Sequence, residues 1–218
     1  MKDQLQRQFQ LISEKYRSSN LTSLPSYQYV QDVLADEKEL DDIAAVLDRV
    51  VDGDKIFNIS KQINKSRGDQ RLFEAFAEFD TAKNLVTTKF YGDFRKITYL
   101  PPMKNRRWPD ILADETPVEV KLLTPQDLVA SKFFQKLIDK INKDAAPQLA
   151  SYHDQHSFDT GMIFIRSHRP VPLADIKYHD LEKWFNDKVL PQPFDVTIVT
   201  IMHGIPGMWD FYIKKDST

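Results

Sequence analysis

Cysteine is absent from all 218 residues, which removes disulfide frameworks, thiolate metal sites and cysteine nucleophiles from consideration. Also missing is any apolar run of membrane-spanning length, and the start, Met1-Lys-Asp-Gln-Leu-Gln-Arg-Gln, has no apolar signal core. A soluble cytoplasmic chain with no membrane partner is the expectation. No P-loop, dinucleotide fingerprint or serine-triad context occurs, so ATP dependence has no support within the chain. Histidines are few and scattered. His153 and His156 are three apart, but no third or fourth zinc ligand lies near them, and they read as solvated residues at a helix end.

What is present is ordinary in total and uneven in distribution. Apolar residues make up 41% and charged residues 28%, which suits a soluble globular chain with one sizeable core. The net charge is −2, yet Gln31 to Asp54 carries nine acids against two bases, whereas Phe94 to Pro109 carries Arg95, Lys96, Lys104, Arg106 and Arg107 with no acid. Local positive charge, not the total, governs contact with a polyanion. The Lys104-Asn-Arg-Arg-Trp108 loop is therefore a candidate phosphate and base-stacking contact, with a basic surface loop as the plainer alternative.

Periodicity divides the chain into a helical region over 1–65 and a mixed α/β region over 66–218. Leu5, Phe9, Leu11, Ile12 and Tyr16 form a rough helical stripe, and Asp41 to Val51 a better one. The acidic run there reads as a solvated face, with protein-partner docking or homodimerisation through this region as the functional option. Asn64 to Asp69 has linker composition. Arg71 to Leu85 then reads as a helix burying Leu72, Phe73, Phe76, Phe79 and Ala82, with Glu74 and Glu78 one turn apart.

Strand-like runs follow at Phe94–Leu100, Asp110–Ala113 and Val118–Leu123. Thr124-Pro-Gln-Asp127 reads as a capped helix entry. The helix beyond it lines up Lys132, Lys136, Lys140 and Lys143 as a ridge, and Pro147 breaks or kinks it, with Asp144 capping a second segment. Met162-Ile-Phe-Ile reads as a buried central strand. A helix near Leu173–Lys188 and strands at Phe194–Met202 and Met208–Ile213 complete the order, with Gly204-Ile-Pro-Gly207 as the last turn.

The most informative stretch is Asp110 to Lys121. With Asp114-Glu-Thr-Pro117 as a four-residue turn, Ala113 faces Val118, Leu112 faces Glu119 and Asp110 faces Lys121. Asp110, Glu119 and Lys121 then share a face, because cross-strand partners point the same way. A one-residue slip separates them. Two carboxylates suit a hard cation that also takes water and phosphate oxygens, and a lysine suits the handling of an attacking water. A solvent-facing edge hairpin is the bland alternative.

Pro109-Asp110, then Glu119-Val-Lys121 on the next strand, then a lysine-bearing helix and an apolar strand resemble the PD-(D/E)XK, or restriction-endonuclease-like, nuclease superfamily over roughly Asp69 to Ile213. The resemblance implies a mixed sheet flanked by helices, with Asp110 and Glu119 as ligands of Mg²⁺ or Mn²⁺ and Lys121 as the catalytic lysine. It also implies an acid from the preceding helix, Glu74 or Glu78 with Glu78 preferred, and a lysine or glutamine from the following helix, met here by Lys140, Lys143 or Gln148. Beside bound cations the pKa of Lys121 is expected to fall. The implied activity is metal-dependent hydrolysis of nucleic acid, DNA ahead of RNA, with a non-catalytic nucleic-acid- or protein-binding subunit on the same fold as the rival.

Overall fold

The computed structural model describes residues 2–47, 50–51, 68–88, 91–100, 108–124, 126–167, 170–171, 176–202 and 209–214. The Lys104, Arg106 and Arg107 loop, the Asn64–Asp69 linker up to Arg67 and the Gly204–Gly207 turn lie outside them. The chain divides into two compact units, Met1–Tyr99 and Leu100–Thr218. Both helices and a mixed sheet are present, so the chain is mixed α/β.

In the first unit, helices α1 (Lys2–Ser18), α2 (Pro25–Ala35) and α3 (Glu37–Leu47) pack with α4 (Gly68–Thr87). Phe9, Ile12 and Tyr16 are buried as their helical spacing predicts, but Leu11 is 42% exposed, because it falls one position off that stripe. Phe79, Ala82 and Leu85 bury the inner side of α4. The Lys83 ammonium on α4 contacts both carboxylate oxygens of Glu39 on α3 at 2.8 Å. Helix α4 thus belongs with the N-terminal helices, and the unit runs past the linker where composition places a boundary. A short parallel pair, β1 (Val50–Val51) with β2 (Ile97–Tyr99), completes it.

Among the described residues, the second unit holds five strands in chain order: β3 (Ile111–Ala113), β4 (Thr116–Leu122), β5 (Thr160–Ser167), β6 (Asp195–Met202) and β7 (Trp209–Ile213). β4, β5 and β6 are mutually parallel, while β3 and β7 run antiparallel to their neighbours. A parallel pair needs a crossover. The first, from β4 to β5, contains α5 (Phe133–Asp139), a π-helical stretch (Lys140–Ala145) and α6 (Ala146–His156); the second, from β5 to β6, contains α7 (Tyr178–Lys188). Leu137, Ile141 and Leu149 from the first crossover and Leu181 and Phe185 from the second join one core with Ile163, Ile165, Val196 and Ile198 of the sheet. Gly161 on β5 allows the close approach of this layer, since a Cβ there would lie 3.2 Å from Leu149 and 3.3 Å from Phe158.

Two local expectations are corrected. Thr124 does not cap a helix: its N–H and its hydroxyl both donate to Asp127 Oδ2 at 2.7 Å, closing a turn, and helix begins only with the 3₁₀ turn Ala130–Lys132. Pro147 does not break the following helix, and Asp144 does not cap a new one. Proline cannot donate to the carbonyl four residues back, and a widened π-helical stretch immediately before Pro147 carries the chain into α6 without interruption.

Ile163 sits in the middle strand and is fully buried. Ile163→Ala should cost about 2–5 kcal/mol of unfolding free energy in a urea titration; a loss under about 1 kcal/mol would contradict its place in the core.

Candidate functional site

The β3–β4 hairpin is tighter than its composition suggests. Ile111 pairs with Val118, Leu112 with Pro117 and Ala113 with Thr116, which leaves Asp114 and Glu115 as the turn. Asp114 takes a left-handed φ of 49°, a conformation that aspartate tolerates better than most residues. The pairing therefore differs from the expected one by two positions. A shift of two preserves the face, so Asp110 and Leu112 still share the side of Glu119 and Lys121, with Asp110 moved toward the level of Glu119 instead of Lys121.

That side is the helix-covered one. Glu119 pairs with Ile163 and Lys121 with Ile165 on β5, and those isoleucines lie in the core beneath the crossover helices. Glu119 is consequently 0% exposed. Its Oε1 lies 2.5 Å from the Lys121 ammonium, an ion contact without hydrogen-bond alignment, and its Oε2 has no hydrogen-bond partner among the described residues. Burial, then the neighbouring Asp110, pushes the Glu119 carboxyl well above the ordinary carboxylate range, and Lys121 offsets only part of this.

Each neighbour is held by a specific bond. The main-chain N–H of Val120 donates to Asp110 Oδ2 at 3.0 Å, so the backbone between Glu119 and Lys121 draws the aspartate across from the end of β3. The Lys121 ammonium donates to Gln148 Oε1 at 2.9 Å, and Gln148 Nε2 donates to the Trp108 carbonyl at 3.1 Å. Gln148 thereby ties α6 both to the lysine and to the chain entering β3. Burial lowers the pKa of Lys121, but Glu119, Asp110 and Asp144 together outweigh it and raise it above the usual lysine value. This is opposite to the direction expected beside cations, because its nearest charges here are carboxylates.

The remaining candidates are placed differently. Glu78 and Glu74 lie half-buried on α4 in the first unit. Trp108 is half-buried, with Tyr152 edge-on at 5.6 Å and His156 edge-on at 5.7 Å. Lys140 is half-buried against Asp127 at 3.4 Å, while Lys143 is exposed and pairs with Asp139 at 2.9 Å. The predicted lysine ridge therefore keeps Lys132, Lys136 and Lys143 in solvent and turns Lys140 inward. His156 is exposed as expected, but its ring stacks on Tyr152 at 4.3 Å; His153 is half-buried between Phe158 and Phe194.

Asp144 was legible only as a helix cap, whereas its charge acts on Lys121; its spacing of four from Gln148 is the signal that puts both on one side of a helix. Among the described residues, no group of three or more histidine, aspartate or glutamate side chains is placed to hold a metal ion. Two carboxylates are what the second unit brings together. No family model matches this chain, nor does any curated protein or solved structure.

A carboxyl with a raised folded-state pKa binds its proton more tightly in the native state, so it contributes stability that is fully present below the unfolded value of about 4.3 and is lost as pH climbs from there through the raised folded-state value. Glu119→Gln removes that loss. In EDTA, the melting temperature of Glu119→Gln minus that of wild type should be larger at pH 8 than at pH 5; a difference that is constant or shrinks would contradict the electrostatic assignment.

Proposed function

We propose that the chain is a metal-dependent nuclease on a restriction-endonuclease-like fold, hydrolysing phosphodiester bonds of nucleic acid with DNA ahead of RNA. The supporting observation is the convergence of Asp110, Glu119 and Lys121 on one side of the sheet. It agrees with the proline-aspartate and acid-x-lysine pattern and with the helix, strand and glutamine order that follows.

The residues fit Mg²⁺ or Mn²⁺. Such ions take one or two carboxylates and fill their remaining positions with water and phosphate oxygens. Glu119 offers buried oxygens without an aligned hydrogen bond among the described residues, and it stands beside the Asp110 carboxyl, an arrangement costly for two carboxylates alone. Asp110 and Glu119 would hold the ion, which supplies polarisation of a phosphoryl oxygen and acidification of a bound water. Lys121, aimed by Gln148, positions the attacking water and steadies negative charge developing on phosphate. Backbone donation from Val120 keeps Asp110 in place while this happens.

The test is incubation of the protein with linear and circular DNA, single-stranded DNA and RNA, each with Mg²⁺, Mn²⁺ or EDTA, beside Asp110→Ala and Lys121→Ala. The expected outcome is metal-dependent cleavage that falls at least about a hundredfold in both variants. Wild type and variants equally inert would move the assignment to a non-catalytic nucleic-acid- or protein-binding subunit; equal cleavage by all three would remove these residues from the mechanism.

A further inference from the structure

At the hairpin-turn end of the sheet, the second unit has an open cavity of about 620 Å³ lined by Leu112, Glu115, Tyr152, His156, Phe158 and Asp159 among others. Its place along the chain links it to the site already described. Leu112 is two residues along β3 from Asp110 and shares its face, while Tyr152 lies one helical turn beyond Gln148 on α6. Trp108, whose carbonyl holds Gln148, packs edge-on against both Tyr152 and His156. The cavity therefore shares the β3–β4 hairpin with the carboxylate pair and shares α6 with Gln148.

The chemistry of the lining selects among the parts of a nucleic acid. Its aromatic wall is ordered: His156 stacks on Tyr152 at 4.3 Å with 28° between planes, and Phe158 adjoins Tyr152 at 6.2 Å. Among the described residues, its lining side chains include the carboxylates of Glu115 and Asp159, both exposed, and no lysine or arginine. Carboxylates repel phosphate, so the backbone of a strand is unsuited to this cavity. They accept hydrogen bonds from exocyclic amines, as acidic side chains do from cytosine N4, and aromatic rings stack on base faces.

We propose that this cavity receives an unpaired, amine-bearing base of the substrate strand, stacked against the His156–Tyr152 wall with its amine facing Glu115 or Asp159. In a duplex both faces of a base are covered by its neighbours, so stacking on this wall takes an unstacked base; the protein therefore prefers single-stranded or locally opened substrate, and the acceptors discriminate cytosine and adenine from thymine. This rests on the nuclease assignment and adds the substrate class to it.

The experiment is fluorescence anisotropy with labelled dC15, dA15, dT15 and a blunt duplex, with Ca²⁺ in place of Mg²⁺, on wild type, His156→Ala and the Glu115→Ala/Asp159→Ala double variant, which removes both acceptors. Both replacements alter exposed side chains, and circular dichroism checks that the variants are folded. Wild type is expected to bind dC15 and dA15 more tightly than dT15 and duplex. His156→Ala should weaken dC15 and dA15 binding by roughly fivefold or more, the scale of one lost stacking contact, and the double variant should bring dC15 and dT15 together. Wild-type binding that is indifferent to base identity and to His156 would overturn the cavity assignment alone, leaving nuclease activity to be read from the Asp110 and Lys121 variants. Absence of binding to every oligonucleotide would overturn both.

Discussion

Glu119 is fully buried on the central sheet, paired across to Ile163 and in contact with the Lys121 ammonium. A carboxylate in that position is costly unless charge or hydrogen bonds answer it. Lys121 lies against one oxygen, the Asp110 carboxyl beside it raises the Glu119 pKa further, and neither Glu119 oxygen has a well-aligned hydrogen bond among the described residues. Around this group the second unit is organised: the hairpin brings Asp110 alongside, β4 carries the lysine two residues on, and α6 lays Gln148 across the lysine. A cation at the carboxylate pair, as proposed above, would relieve the imbalance.

The helix that supplies Gln148 is shaped by one proline. A regular α-helix through Pro147 would leave the carbonyl four residues back without its donor. The π-helical stretch over Lys140–Ala145 absorbs that loss and keeps the chain helical, so that Ile141, Ala145 and Leu149 all reach the core while Gln148 meets Lys121. Widened turns of this kind are frequent at functional sites. Here the turn connects a lysine-rich exposed surface, at Lys132, Lys136 and Lys143, with a glutamine that works inside.

Much of this was legible in the sequence, for identifiable reasons. The buried run Met162–Ile165 and the face shared by Asp110, Glu119 and Lys121 follow from strand periodicity, and that face survived a misjudged turn because the register moved by an even number of residues. Gln148 was legible as one of three helix candidates; the structure distinguishes it by its bond to Lys121 and shows Lys140 paired with Asp127 instead. The Thr124 turn misled because the same threonine-to-aspartate spacing serves a helix cap or a free-standing turn, and local sequence does not separate them. His156 stacks on Tyr152 across one turn of the same helix, a local contact; what was hidden is Trp108, which arrives edge-on to both from a distant segment.

The divalent-ion site proposed at Asp110 and Glu119 is open to a direct measurement. Titrating Mn²⁺ with protein and reading free Mn²⁺ by electron paramagnetic resonance tests it directly, with Asp110→Asn as the variant because asparagine keeps an acceptor for the Val120 N–H. Saturable uptake of Mn²⁺ by wild type that is lost in Asp110→Asn and in Glu119→Gln is the predicted result. No uptake by wild type, or uptake that both variants retain, would contradict it.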